Sequence, residues 1–436
     1  MEKEKIIKIL NDWNFWDKEI ETGVRRDDYL ERLKQLITDN QIITITGARR
    51  SGKSFIMRQL AKELIESKVN KENILLVNLE DPRFSNLSTS LLSEIYDAYL
   101  EFRRPKDKSY IFLDKIQEVE KWEKWVLSMQ ELKKAHLIIS GSNAKLLSRE
   151  LSTLLTGRHL DITVLPISFK EFLKFNNVFI KSKLDFISQE IEIKSFFRDY
   201  LEKGGFPEVV LRDNKREILL TYFKDILEKD LIKRYKIRKS EGLKELLNFY
   251  FSNVSSLITF SSLEKSLKIS ADTIEKFSSY FENAYLLFFL KRFSFKVKEQ
   301  EKSPRKVYAI DTGLVNAVGF RFSENLGKLA ENIAFLELQR KKLKDSDLAI
   351  YYWKDEKHQE VDFVIKNKNL VTQLLQICWD LSDIKTRERE IKSLIKASEE
   401  LSCQNLLIIT SDYEGEEKIK GKIIKFIPLY KWLLED

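Results

Sequence analysis

Apolar residues return every three or four positions in residues 1–40, as in Tyr29, Leu30, Leu33, Leu36 and Ile37, and this spacing predicts amphipathic helix. The period then changes. Gln41-Ile42-Ile43-Thr44-Ile45-Thr46 is a β-branched run that ends at Gly47, and helical spacing resumes with Phe55, Ile56, Leu60, Leu64 and Ile65. Apolar runs predict further strands at 73–79, ending in Glu80-Asp81-Pro82, at 110–114, ending in Asp114, and at 136–143. Strands alternating with helices predict an α/β fold with a parallel sheet flanked by helices.

Beyond Pro166 the chain turns helical and basic, through Phe169, Phe172 and Leu173 to residues 222–230, as suits a helical lid and linker. From Leu243 to Val318 the predicted order is helix, a second helix after Phe260, a turn at 269–272, a third helix, and strands at 285–293 and 306–310. That is the order of a winged helix. Its third helix, with Thr273, Lys276, Ser278, Ser279 and Tyr280, is the one that enters a major groove in such folds, although winged helices also serve protein packing alone. The last hundred residues hold an acidic helix at 329–338, a hairpin at 350–353 and 360–365, and a strand at 373–378. The expected domains are 1–165, 166–240, 241–320 and 321–436, joined by short charged connections.

The segment Gly47-Ala48-Arg49-Arg50-Ser51-Gly52-Lys53-Ser54 lies between a predicted strand and a predicted helix. A loop that cradles phosphates must leave a buried strand and open a helix whose N-terminal amides face the anion, so this context gives the motif a mechanism. Gly47 and Gly52 permit the tight backbone, Lys53 is placed to reach the β- and γ-phosphates of ATP, Ser54 to ligate Mg²⁺, and Phe55 to begin the helix beside them. Asp114 follows four apolar residues and is placed to hold the same Mg²⁺. At the end of the next strand, Asn143 or Ser142 either orients the attacking water or caps a helix.

These residues resemble the AAA+-like P-loop ATPases of archaea and bacteria that carry a C-terminal nuclease-like region, and the likeness covers nearly the whole chain. It rests on Arg26-Asp27-Asp28-Tyr29-Leu30, the phosphate loop, Glu80-Asp81-Pro82-Arg83, and Leu113-Asp114-Lys115-Ile116-Gln117 with the Trp122 to Trp125 helix. Gly141-Ser142-Asn143, Leu155-Thr156-Gly157-Arg158 and Gly204-Gly205-Phe206-Pro207-Glu208 complete it. The resemblance implies an ATPase in which Arg158 approaches the γ-phosphate of a neighbouring copy in a homo-oligomer; the plainer reading of Arg158 is a salt-bridging surface residue. In that family the acid after the Mg²⁺-binding Asp is Glu, whereas here it is Lys115. A lysine cannot accept a proton from water, so hydrolysis is expected to be slow and binding spared, unless Glu80, Asp81 or Glu118 supplies the carboxylate.

Glu331, Asp362 and the strand that follows resemble the restriction-endonuclease fold, in which two acids and a Glu-x-Lys pair gather Mg²⁺ for phosphodiester cleavage. Here that pair is Gln376-Ile377-Cys378, without the carboxylate or the lysine, so a degenerate site kept for binding or assembly is expected.

Composition adds bounds. The two cysteines, Cys378 and Cys403, have no paired spacing, which argues against a disulfide framework and for a cytoplasmic setting. No run approaches the ~20 apolar residues of a membrane span. The 76 Lys and Arg against 68 Asp and Glu leave a net charge of +8, compatible with a DNA partner. The expectation is an ATPase acting as a nucleotide-controlled module on DNA; the alternatives are a nucleotide switch that scaffolds a protein partner and an ATP-gated nuclease.

Overall fold

The β-branched runs form a parallel sheet, for a reason visible in their burial. In the computed structural model, which describes residues 1–37, 41–142, 159–320 and 325–435, β1 (Ile42–Gly47), β2 (Ile74–Asn78), β3 (Ser109–Asp114), β4 (Ala135–Ser140) and β5 (His159–Val164) pair in the order β2-β3-β4-β1-β5, all in parallel. Alternate side chains enter two separate cores. Leu75, Val77, Ile111, Leu113, Leu137 and Ile139 face α1 (Lys3–Trp13), α4 (Thr89–Arg103) and α5 (Trp122–Glu131). Ile43, Ile45, Leu76, Phe112 and Ile138 face α2 (Asp27–Leu36) and α3 (Lys53–Glu66). Strands apolar on both faces are what a parallel sheet covered by helices on both sides requires.

Residues 1–40 are not one helix, as the periodicity alone suggests. Helix α1 ends where Asn14 turns to extended backbone, and α2 begins only at Asp27. The side chain of Asn14 explains the break. It donates to Leu76 O (2.8 Å) and accepts from Leu76 N (2.7 Å), so it satisfies the exposed edge of β2 as another strand would, while Trp16 Nε1 donates to Ile74 O (2.9 Å). An uncovered edge is a template for unwanted pairing, and here an amide and an indole close it. Strand β5, which sequence pattern did not single out, has charged and half-buried positions typical of the opposite edge.

The chain divides into two compact units, Met1–Leu165 and Pro166–Asp436. In the second, helices Glu241–Ser252, Phe260–Leu267 and Ala271–Asn283 accompany β6 (Ser256–Ile258), β7 (Leu287–Leu290) and β8 (Arg305–Ala309), an antiparallel sheet ordered β6-β8-β7. A larger mixed sheet joins β9 (Leu348–Lys354), β10 (Glu360–Asn367), β11 (Leu370–Ile377), β12 (Leu406–Thr410), β13 (Gly415–Ile419) and β14 (Lys422–Pro428) in the order β13-β14-β12-β11-β10-β9. Helix Ile384–Glu400 provides the crossover between the parallel pair β11 and β12. Among the described residues, no helix is long and apolar enough to cross a membrane.

The edge cover is testable. Asn14→Ala strands a buried N–H and C=O of Leu76, and the chain should lose about 1–3 kcal/mol of stability in urea unfolding. A loss under about 0.5 kcal/mol would mean that water replaces the amide at this edge.

Candidate functional site

A parallel sheet sends the carboxyl ends of its strands to one edge, and the candidate residues collect there. β1 ends at Gly47, whose φ of 138° lies in the region open to glycine and where a Cβ would stand 2.2 Å from the Val164 carbonyl oxygen. Only glycine lets the loop leave this close to β5. The loop itself includes Arg50 at φ 69° and closes on Gly52 at φ 99°, which precedes the first turn of α3. Ala48 and Ser51 are fully buried and Lys53 nearly so, whereas Arg50 is exposed. Lys53 Nζ donates to Gly47 O (2.9 Å) and Ala48 O (2.7 Å), which curls the ammonium over the loop's mouth. Phe55 is 39% exposed and lies against Gly23, with the Arg58 guanidinium 5.2 Å from its ring.

Arg26 fixes the loop from behind. It is buried, and its Nη1 donates to Ser51 O (3.0 Å) and Leu165 O (3.1 Å), tying the loop to the residue after β5. The Tyr29 ring lies 4.6 Å from the guanidinium, and its hydroxyl accepts from Leu165 N (3.1 Å). Sequence reasoning placed Arg26 and Tyr29 in a family motif without a role. The signal is the second of two adjacent arginines, Arg25 and Arg26, just before an amphipathic helix, which pattern alone does not distinguish from surface charge.

Strand β4 runs between β1 and β3, so its end meets both. Ser140 Oγ donates to Asp114 Oδ1 and accepts from Lys115 N (3.2 Å). Sequence reasoning looked to Ser142 and Asn143; the hydroxyl on Asp114 is that of Ser140. Ser142 is buried, and Asn143 and Arg158 lie outside the described residues. Ser54 and Asp114 line one small crevice together with Met57, Asn78 and Phe112, so a hydroxyl and a carboxylate, the donor pair Mg²⁺ needs beside a triphosphate, face the same space.

Lys115 stands in the left-handed region at φ 63°, with its side chain 11% exposed. Its ammonium points to Glu80 Oε2 (3.6 Å), and Glu80 Oε1 meets Arg49 Nη1 of the phosphate loop (3.4 Å). The other two acids considered for the missing carboxylate are placed differently. Asp81 is held by Arg83 Nη2 (2.7 Å) and Trp13 Nε1 (2.8 Å), and Arg83 holds its carboxyl far below the usual range. Among the described residues, Glu118 accepts a long bond from the neighbouring Gln117 side chain (3.4 Å).

The second acid cluster differs from the sequence expectation. The absence of a lysine from 376–378 is made good from elsewhere, because Lys306 on β8 is buried with Nζ 3.0 Å from Glu331 Oε1, 2.7 Å from Asp362 Oδ1 and 2.7 Å from Glu360 Oε1. Tyr308, two residues along the strand and so on the same face, donates to Glu331 (2.7 Å). Burial opposes the charge on Lys306, but Asp362 and Glu331 hold its pKa well above the ordinary value. Glu331 is pushed up to about 8 by burial and by Asp362. Gln376 is structural: its carbonyl accepts from Asp362 N (3.0 Å) and its amide donates to Glu390 (2.7 Å). Among the described residues no group of three or more His, Cys, Asp and Glu side chains is arranged to hold a metal ion. The centre of this cluster is an ammonium.

Comparison with known proteins bears on the first unit most directly. The model of an AAA domain matches residues 39–173, and two domains of unknown function, DUF8612 and DUF4143, match 194–326 and 326–432. An uncharacterized protein of Methanocaldococcus jannaschii is 36% identical over 409 residues, covering 91% of this chain and 88% of that protein. An uncharacterized protein of Haemophilus influenzae is 30% identical over 421 residues, covering 94% and 99%. Among solved structures, a Walker-type ATPase of Pyrococcus abyssi matches at 13% identity and a TM-score of 0.45, covering 70% of this chain and 99% of that one.

Lys306→Met tests whether the ammonium holds the second cluster together. Removing one partner from a buried ionic set leaves uncompensated carboxylates and costs about 3–5 kcal/mol. Urea unfolding should show a loss of that order, and a change below about 1 kcal/mol would indicate that the acids take up protons without penalty.

Proposed function

The chain belongs to one family with the uncharacterized Methanocaldococcus jannaschii and Haemophilus influenzae proteins and matches an AAA domain over residues 39–173, and we propose that it binds and hydrolyses ATP at the loop 47–54. The observation that carries this reading is the convergence of Lys53, Ser54, Asp114 and Ser140 on one sheet edge. Lys53 exchanges the carbonyls of Gly47 and Ala48 for the β- and γ-phosphates, while the first turn of α3 offers its amides to the same anion. Ser54 and Asp114 would hold Mg²⁺, which would supply charge neutralisation beside the phosphates. Arg26 keeps the loop in register with β5, so the amides stay aimed when the anion arrives. The reading also takes Arg158 to a neighbouring copy's γ-phosphate, and Asn143 to the attacking water.

The reading extends to DNA as the object of this nucleotide control. Support comes from the net charge of +8 and from the order of elements in 241–309, a helix, a strand, two helices and two strands joined through the short helix Val297–Lys302, with the middle sheet position taken by the last strand, as a winged helix requires. The groove-facing set is narrower than sequence reasoning had it. Ser278 is buried on Tyr250 and Tyr280 stacks on Tyr235 at 3.5 Å, so Thr273, Lys276 and Ser279 remain to face a groove. A nuclease is disfavoured, since Lys306 already answers the carboxylates that a metal would need.

Lys53→Ala should weaken ATP binding at least about 100-fold, because charge-assisted contacts to phosphate contribute about 1.5–3 kcal/mol each and every 1.4 kcal/mol is tenfold. Titration calorimetry checks this, and equal affinity in variant and parent would end the assignment. For DNA, anisotropy titrations in increasing salt should give a steep negative slope of log affinity, reduced by about 1 in Lys276→Ala. A slope near zero would favour the scaffold alternative.

A further inference from the structure

Resting on the nucleotide reading above, we propose that Glu80 supplies the water-positioning carboxylate that Lys115 cannot, and that Arg49 and Lys115 are the positioning residues that aim it. Register brings Glu80 to the site. β2 and β3 pair with Asn78 opposite Asp114, and Leu79 N donates to Asp114 O (3.1 Å), so the two strands run out side by side at the edge where the phosphate loop lies. Glu80 is the next residue, its N–H given to Asn78 Oδ1 (3.1 Å), and it stands beside the residue that follows Asp114.

Its two oxygens are divided between two cations of this edge. Oε1 faces Arg49, inside the phosphate loop, and Oε2 faces Lys115. Both separations, 3.4 and 3.6 Å, are longer than a tight charge-assisted bond, so the carboxylate is aimed without its lone pairs being fully used. The Glu80 side chain is 41% exposed, open to water, whereas Asp81 is 3% exposed and fully engaged by Arg83 and Trp13. Lys115 is held too: its backbone N–H goes to Ser140, which in turn holds Asp114. The lysine after Asp114 thereby acts through Glu80, moving the carboxylate of this mechanism from the end of β3 to the end of β2.

In the step itself the water oxygen forms a bond to the γ-phosphorus while the bond from that phosphorus to the β,γ-bridging oxygen breaks. ADP leaves with the electron pair. The water proton passes to the Glu80 carboxylate and from there to solvent. Glu80 both orients the water and takes its proton; an isosteric amide can still hydrogen-bond but cannot take the proton, so it should be nearly inert.

Steady-state ATPase rates of the full chain with Mg²⁺ and ATP, together with calorimetric ATP affinities, test this. Glu80→Gln should lower turnover at least about 100-fold, the low end for such groups, with ATP affinity within about threefold of the parent. The double variant Glu80→Gln with Lys115→Glu should recover at least about tenfold of that loss, because it returns a carboxylate to the neighbouring position. Lys115→Met should lower kcat with little change in KM, as expected of a residue that only aims Glu80. Unchanged turnover in Glu80→Gln, or a loss that appears in Glu118→Gln instead, overturns the proposal, as does a Glu80→Gln defect confined to affinity. A parent that binds ATP through Lys53 but does not turn it over overturns the proposal while leaving the binding assignment standing; a parent that does not bind ATP removes both.

Discussion

Arg26 is withdrawn from water and spends its guanidinium on the carbonyls of Ser51 and Leu165, and the nucleotide edge depends on that arrangement. A phosphate loop is a stretch of irregular backbone whose amides must all point one way before an anion is present. Such a loop has few bonds of its own. Here it is pinned at both ends: Gly47 passes so close to Val164 that no side chain fits, and Arg26 bridges the loop's far end to the residue after the same strand. One buried cation thereby ties the loop before α3 to the end of β5.

The parallel register does the rest. Inserting β4 between β1 and β3 places a hydroxyl, Ser140, between the loop and Asp114, and pairing Asn78 with Asp114 carries Glu80 to the same edge. Glu80, Asp114 and Ser140, distant in sequence, share this edge because strands that end at one edge end together. The same economy of charge recurs in the second unit, where Lys306 is buried among Glu331, Glu360 and Asp362. A single ammonium answers several carboxylates there, which offsets the cost of burying each alone.

These two buried cations also mark the limit of reading the chain as text. Arg26 and Lys306 look like any other members of a chain in which a third of the residues are charged. Arg26 shares a motif with Tyr29, but it bonds to a carbonyl 139 positions away, and Lys306 meets an acid 56 positions away. Burial and partner are properties of the fold, and charge type in a sequence carries neither.

The sequence by itself determined the strand, loop and helix of residues 42–66, the acid-terminated strand ending at Asp114, and the α/β class, because these depend on local period and on glycine at positions where backbone geometry admits nothing else. It also marked Glu331 and Asp362 as a pair. Only the tertiary structure decided that residues 1–40 break at Asn14 to cover an edge, that Ser140 is the hydroxyl on Asp114, that Glu80 and not Asp81 or Glu118 faces Lys115, and that a lysine from β8 fills the acid cluster. Each of those outcomes depends on which strand ends beside which, and strand order in a parallel sheet is set by crossovers that no local pattern encodes.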